Sequence, residues 1–138
     1  MSLEVVKKYY EAFNRKDINA ILALCTDDVI NDPNQGDPQV GKEKLKAFLE
    51  TAWAHFDEQV FDLELLSNAD QSKIASEYLV KGKYYHTKPG LFPATNQHYE
   101  IICHTFFYIK HGKIARMTRH YNAKTWLDIV NPNGNKGN

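Results

Sequence analysis

The sequence has few cysteines, no net charge and no long hydrophobic run, and each shortage argues against a class of protein. Its 138 residues hold two cysteines, Cys25 and Cys103, which disfavours a disulfide-stapled scaffold, and we expect both thiols to be buried and free. Seventeen basic residues balance seventeen acidic ones, which disfavours non-specific binding of nucleic acid. Apolar runs such as 106–109 are far shorter than the roughly 20 residues of a membrane span.

Several sequence motifs are also missing. The chain has no Cys-x-x-Cys, His-Glu-x-x-His, Gly-x-Gly-x-x-Gly or phosphate-binding P-loop pattern, so we predict neither a metal nor a cofactor. Its first residues lack the basic-then-apolar layout of a signal peptide, which favours a cytoplasmic location.

Hydrophobic residues make up 43% of the chain, enough for one buried core. We predict a single domain over residues 1–130, followed by a disordered polar tail over 131–138.

The first half of the chain has helical periodicity. Leu3, Val6, Tyr10 and Phe13 share one helical face, and this spacing predicts a first helix. Asp17 is placed to cap a short second helix. A short β-prone run over 29–32 and a turn-rich loop over 34–38 follow, and a third helix with one apolar face is predicted after residue 41.

The second half changes to the period of strands. We predict strands over 58–67, 73–85, 98–110 and 113–121, with a closing helix over 123–130. Helices followed by antiparallel strands predict an α+β fold in which three N-terminal helices pack on one face of a curved antiparallel sheet. Such packing leaves a cone-shaped cavity. The long connection over 87–97 either covers the mouth of this cavity or is an ordinary surface loop.

Several segments of the chain carry a family resemblance. They are Tyr9–Asn14 with Asp17-Ile18, Asp27–Val29 with Asn31–Pro33, Gly36 with Gly41–Glu43, Pro93–Thr95, and His111–Ile114 leading to Tyr121 and Trp126-Leu127. In these segments and in the order of its elements, the chain resembles the nuclear-transport-factor-2-like (NTF2-like, cystatin-like) superfamily over residues 3–130, and within it the SnoaL-like polyketide cyclases related to ketosteroid isomerase.

The resemblance implies three candidate catalytic residues. Asp32, which precedes Pro33, matches the acid that moves a proton between substrate carbons in the isomerases, and Tyr9 matches a tyrosine that binds the substrate oxygen. His104 stands where the isomerases hold a protonated acid, so the set is closer to that of the cyclases and dehydratases of the superfamily. The structural alternatives are an Asx turn at Asp32, a core-filling Tyr9 and a core histidine at His104.

Four further residues are predicted to line the cavity and bind ligand. Phe106 shares a strand face with His104 by alternation, and Met117, Arg119 and Tyr121 share a face of the last strand. Family position suggests that this face is the cavity side. Arg119 is costly there unless Asp32, another acid or an anionic ligand pairs with it, and the alternative is that it reaches out at the sheet edge.

The predicted activity is isomerisation or cyclisation of a small apolar carbonyl compound by acid–base proton transfer. A non-catalytic ligand-binding protein and a dehydratase-type lyase are the alternatives. An epoxide hydrolase ranks last, because that chemistry needs two carboxylates around an arginine and the sequence offers no obvious second acid beside Asp32.

A homodimer formed through the sheet is also predicted. If His104 points into the cavity, then Tyr99, Ile101, Phe107 and Ile109 lie on the opposite face with no layer to cover them. A monomer seldom leaves such a surface in water.

Overall fold

The computed structural model of the protein describes residues 2–134. These residues contain four helices: α1 (Ser2–Arg15), α2 (Ile18–Ala23), α3 (Lys42–His55) and α4 (Ala123–Val130). Lys16 separates the first two helices with a left-handed φ of 60°. The Asp17 carboxylate then caps α2 by accepting a hydrogen bond from the amide of Ala20, as its position predicted. None of the described helices is long and apolar enough to cross a membrane.

Within the described part of the chain, six strands form one sheet. They are β1 (Cys25–Asp32), β2 (Gln39–Val40), β3 (Phe56–Ser67), β4 (Lys73–Tyr84), β5 (Gln97–Lys110) and β6 (Lys113–His120), in the order β2-β1-β6-β5-β4-β3. The predicted α+β fold, with helices packed on one face of a curved sheet, is confirmed. The sheet is mixed rather than purely antiparallel, because β1 runs parallel to β6; the intervening helices and strands provide the long crossover that a parallel pair requires.

Two local features set the direction of side chains on the strands. His111 and Gly112 both have positive φ, which is the backbone of the two-residue hairpin predicted between β5 and β6. Asp62 has a φ of 56° at a break in the β3–β4 register between Phe61 and Glu64. This bulge reverses the alternation along β3, so that Val60 before it and Leu65 after it both face the core.

The sheet has an inner face, covered by the helices, and an outer face. Between residues 98 and 110 of β5, the inner row is Tyr99, Ile101, Cys103, Thr105, Phe107 and Ile109, and the outer row is His98, Glu100, Ile102, His104, Phe106, Tyr108 and Lys110. The predicted assignment of the two faces of β5 is therefore wrong. Both rows contain large apolar residues near His104, and the wrong row was placed inward on the assumption that His104 faces the cavity.

The last helix ends at Val130, where the domain was predicted to end. The amide of Gly134 donates to the carbonyl of Asn131, so the first residues of the predicted disordered tail form a turn. The remainder of that tail, residues 135–138, lies outside the described residues.

Asn14, at the end of α1, joins this helix to the edge strand β3. Its side chain both donates to the carbonyl of Val60 and accepts from the amide of Val60, at 3.0 and 2.8 Å. The Gln59 side chain returns a hydrogen bond to the carbonyl of Asn14. The side-chain amide of Asn14 thus satisfies the backbone N–H and C=O groups of Val60 on the edge strand, as a neighbouring strand would.

We predict that Asn14→Ala lowers the free energy of unfolding by about 2 kcal/mol, because it leaves two part-buried backbone groups of Val60 without partners. Denaturant titration measures the change. Arg15→Ala is the matched control, since Arg15 is exposed and forms only a 3.7 Å ion pair with Asp17, and it should cost less than about 0.5 kcal/mol. Equal losses in the two variants would contradict the role given to Asn14.

Candidate active site

A cavity of about 230 Å³ lies between the helices and the inner face of the sheet. Its walls are mainly aromatic, and its polar groups come from a few side chains on the strands and on α1. The residues that line it are Tyr9, Tyr10, Phe13, Phe48, Leu49, Ala52, Trp53, Phe56, Glu58, Val60, Tyr78, Val80, Tyr99, Ile101, Cys103, Arg119, His120, Tyr121 and Trp126.

Arg119 brings a positive charge into this cavity from the inner face of β6. Its guanidinium donates to the side-chain oxygen of Asn31 on β1 and to the hydroxyl of Tyr9 on α1, the latter at 3.0 Å. The ring of Phe48 on α3 lies against it, with 5.2 Å from the guanidinium carbon to the ring centre. Asn31 is only 1% exposed. Contacts from three elements therefore hold the guanidinium in place.

Glu58 is the acid of the cavity. It lies near the start of β3, and its carboxylate accepts a hydrogen bond of 2.5 Å from the hydroxyl of Tyr99. Burial raises the pKa of the Glu58 carboxyl above its usual value, although the Tyr99 hydrogen bond and the charges of Lys16 and Arg119 act in the opposite direction. A raised pKa makes the Glu58 carboxylate a stronger base than an exposed carboxylate, which suits it to take a proton from a substrate.

A glycine makes the contact between Tyr99 and Glu58 possible. Glu58, Gly82 and Tyr99 are direct neighbours across β3, β4 and β5. A Cβ atom on Gly82 would lie 2.3–2.5 Å from three atoms of the Tyr99 phenol. The phenol therefore lies over Gly82 to reach Glu58, and any larger residue at this position would displace it.

The cavity floor is a network of hydroxyl groups. Tyr10 donates to Ser76, which in turn donates to the carbonyl of Thr105. Tyr78 shares a 2.7 Å hydrogen bond with the hydroxyl of Thr105. Burial raises the pKa values of both phenols, so these groups stay neutral and orient one another.

Cys103 also lines the cavity, and it is only partly buried, unlike Cys25. Both thiols are free, as predicted. Burial raises the pKa of Cys103 to about 12 and that of Cys25 to about 11. Both are therefore protonated at neutral pH and are poor nucleophiles.

Asp32 does not line the cavity. Alternation along β1 turns Asn31 inward and Asp32 away, where its carboxylate pairs with Arg116 at 2.8 Å. The Asp32 carboxylate also accepts a hydrogen bond from the amide of Asn34. This contact forms the Asx turn that the sequence analysis gave as the alternative to a catalytic role. The expectation that Asp32 meets Tyr9 and His104 around one substrate is wrong, because β1 presents its amide rather than its acid to the interior.

His104 and Phe106 lie on the outer face. The side chain of His104 is 51% exposed and its ring nitrogen Nε2 lies 2.9 Å from the Glu77 carboxylate. Phe106 is 42% exposed. Their predicted places in the cavity wall are wrong for the reason given above: the inner row of β5 is the other one.

The other predicted residues are close to the cavity. Tyr9, Arg119 and Tyr121 line it, and Met117 is fully buried beneath Arg119, with its sulfur 3.9 Å from the guanidinium. The predicted inward face of β6 is therefore right, although the roles of these side chains in binding stay predictions.

Sequence reasoning missed Glu58. Its signal was present, since Glu58 lies two residues before the core residue Val60 and alternation places both on one face. The bulge at Asp62 concealed this signal, because the inward-facing residues of β3 have even numbers before the bulge and odd numbers after it. Among residues 2–134, no group of three or more His, Cys, Asp or Glu side chains is arranged to bind a metal.

Comparison with known proteins identifies the family. A sequence model of the SnoaL-like domain matches residues 6–117. The chain belongs to the SnoaL-like family. No curated protein matches it.

Solved structures of similar proteins support the same assignment. A protein of Pseudomonas putida KT2440, provisionally named a polyketide cyclase, is 42% identical over 94% of this chain and 98% of its own, with a TM-score of 0.91. A protein of Xanthomonas campestris pv. campestris with the same provisional name is 36% identical over 94% and 96% of the two chains, also with a TM-score of 0.91.

A more distant structure shares the fold. An NTF2-like protein of unknown function from Burkholderia pseudomallei K96243 is 15% identical, with a TM-score of 0.75 over 94% of this chain and 97% of its own. This SnoaL-like chain therefore has the NTF2-like fold that its sequence predicted.

The pKa of Glu58 predicts how stability depends on pH. Folding raises the pKa of Glu58 above its unfolded value of about 4.3. In the pH window between the unfolded and the folded pKa, the folded state therefore binds more protons than the unfolded state. Wild-type stability therefore falls through this window as the pH rises, relative to a variant that cannot ionise. We predict that Glu58→Gln, which keeps an acceptor for Tyr99, gains in melting temperature relative to wild type between pH 4 and pH 8.

Scanning calorimetry across this pH range tests the prediction. Glu64→Gln is the control, because Glu64 is an exposed acid on the same strand. A constant difference between Glu58→Gln and wild type would mean that the pKa of Glu58 is not raised.

Proposed function

We propose that the protein catalyses isomerisation or cyclisation of a small, largely apolar carbonyl compound by acid–base proton transfer, with Glu58 as the group that moves the proton. One observation carries the proposal: a carboxyl group with a raised pKa lies in an aromatic cavity that also contains a guanidinium. A base and an electrostatic stabiliser in one apolar site are the two elements that removal of a proton next to a carbonyl requires.

In the first step, the Glu58 carboxylate takes a proton from the carbon next to the substrate carbonyl. The C–H electron pair moves to form an enolate, and Glu58 becomes a carboxylic acid. Tyr9 is suited to hold the enolate oxygen, because its hydroxyl oxygen accepts from Arg119 and its own hydrogen remains to donate. The positive charge of Arg119 favours the same negative oxygen.

In the second step, the enolate carbon forms a new bond. If it attacks another carbonyl of the same molecule, a carbon–carbon bond closes the ring and the resulting alkoxide takes the proton back from Glu58. If a different carbon of the enolate system takes that proton, the product is an isomer. Either course returns Glu58 to its initial state and needs no oxidant or reductant.

Tyr99 and Gly82 act as positioning residues in this proposal. The 2.5 Å hydrogen bond from Tyr99 fixes one carboxylate oxygen of Glu58. The other oxygen has no hydrogen-bond partner within residues 2–134, which leaves it available to the substrate. The similarity to two provisionally named polyketide cyclases, at 42% and 36% identity, favours ring closure over simple isomerisation.

Exchange of substrate protons tests Glu58 without knowledge of the natural substrate. The probe is 2-tetralone in D₂O, a bicyclic ketone with exchangeable protons beside its carbonyl, and proton NMR measures their loss. We predict that the wild type accelerates exchange over buffer, and that Glu58→Gln lowers the rate by about 10²- to 10⁴-fold. Asp57→Asn, which removes the exposed acid next to Glu58, is the matched control and should retain the wild-type rate.

Asp32→Asn distinguishes the alternative base. Loss of exchange in this variant, with exchange retained in Glu58→Gln, would return the role to Asp32. Binding of the ketone by the wild type without exchange above the buffer rate would favour the non-catalytic alternative, in which the cavity only holds a ligand.

We also propose that the protein forms a homodimer through the outer face of the sheet. The outer apolar patch consists of Phe61, Ile102, Phe106 and Tyr108, which are 37–51% exposed. Strand register places Leu79 between Phe61 and Ile102, so the patch continues across three strands. Water contact with such a surface is unfavourable, and a two-fold contact between copies would cover it.

A charge placed in the outer apolar patch should disrupt the dimer. We predict a mass near twice 15.9 kDa by light scattering for the wild type, and a monomer for Phe106→Lys. Leu127→Lys is the control, since Leu127 is similarly exposed, at 41%, but lies on α4. A monomeric wild type at micromolar concentration would exclude the dimer.

A further inference from the structure

Arg119 has no direct counter-ion among residues 2–134, although its charge acts at longer range on the carboxyl group of Glu58. Its hydrogen-bond partners, the Asn31 side chain and the Tyr9 hydroxyl, are uncharged. Within residues 2–134, no carboxylate lies within the 4 Å that defines an ion pair with it. The neighbouring Arg116 points to the other face and is paired with Asp32. A partly buried cation without a counter-ion is costly to maintain unless something else supplies the negative charge.

Arg119, which lines the cavity, has donors that no acceptor among residues 2–134 uses. A guanidinium has five N–H groups. Nη1 donates a hydrogen bond to the Asn31 side chain. Nη2 donates to the Tyr9 hydroxyl and makes a weak contact with the sulfur of Met117. The Nε group and one Nη1 hydrogen have no acceptor among the described residues. The Phe48 ring stacked against the guanidinium limits its rotation, so these donors have a fixed direction.

The size and walls of the cavity restrict what such an anion can be. A cavity of about 150 Å³ is enough for benzene, whereas this one measures about 230 Å³. It thus has space for one or two fused rings. The rings of Trp53, Phe56 and Trp126 form much of the wall and suit a flat aromatic or conjugated ligand.

We propose that Arg119 is the anion-binding group of this cavity, and that the ligand is a planar compound of one or two rings that carries a carboxylate or a stabilised enolate. This assignment rests on the proposed function for the location of the site, and it narrows the substrate class from apolar carbonyl compounds to acidic ones. The anionic oxygen binds Arg119, and the ring system fills the aromatic part of the cavity.

Two probes of equal shape test the charge requirement. Isothermal titration calorimetry at pH 7.5 compares 2-naphthoate with its neutral counterpart 2-naphthamide. We predict that the wild type binds 2-naphthoate at least about tenfold more tightly, since a hydrogen-bonded ion pair is stronger than neutral hydrogen bonds. Equal affinities in the wild type would overturn the proposal.

Variants assign this preference to one arginine. Arg119→Gln should reduce it to within about twofold, whereas Arg116→Gln, the matched control on the same strand, should retain it. A preference that survives in folded Arg119→Gln overturns the proposal. A crystal structure of the wild type with 2-naphthoate needs no variant: a carboxylate about 3 Å from the guanidinium nitrogens supports the assignment, and a carboxylate elsewhere rejects it.

Glu58→Gln separates this inference from the proposed function. This variant keeps Arg119, so it should retain the preference for 2-naphthoate even though it loses proton exchange. A preference in the wild type together with unchanged exchange in Glu58→Gln would reject Glu58 as the base and keep the anion site. Lost exchange in Glu58→Gln without any preference in the wild type would reject the anion site alone.

Discussion

The contacts of one guanidinium tie the site to the fold. Arg119 on β6 binds Asn31 on β1 and Tyr9 on α1, and it lies against Phe48 on α3. The parallel pairing of β1 with β6 places Asn31 beside Met117, two residues before Arg119. The helices that cover the inner face of the sheet therefore contact a cation beneath them, and the cavity beside this cation also contains Glu58.

On the opposite wall of the cavity, Gly82 has no side chain, and this leaves space for Tyr99. Gly82 lets the Tyr99 phenol lie flat over β4 and reach the carboxyl of Glu58. Burial of that carboxyl raises its pKa, and the hydrogen bond limits its motion. Two different groups of contacts thus hold Arg119 and Glu58 on two sides of one cavity. A base and a cation placed in this way suit proton transfer to and from a polarised oxygen.

The errors of the sequence prediction have a common physical cause. A strand repeats every two residues, so a shift of one residue exchanges its inner and outer rows. On β5 both rows contain large apolar residues, and the choice of the wrong row placed His104 and Phe106 in the cavity. On β1, Asn31 and Asp32 are adjacent, and the residue chosen was the one that pairs outward with Arg116. On β3 the bulge at Asp62 obscured the inward phase of Glu58.

Sequence by itself determined the elements and their layers, because helical and strand periods, Asp17 as a cap and the turn at His111 and Gly112 are local properties of the chain. It also determined the inward face of β6, with Met117, Arg119 and Tyr121. Only the tertiary structure decided which acid lines the same cavity as Arg119. Whether a carboxylate is buried or exposed depends on strand register, on a bulge and on the space above a distant glycine, and these are set by contacts between segments far apart in the sequence.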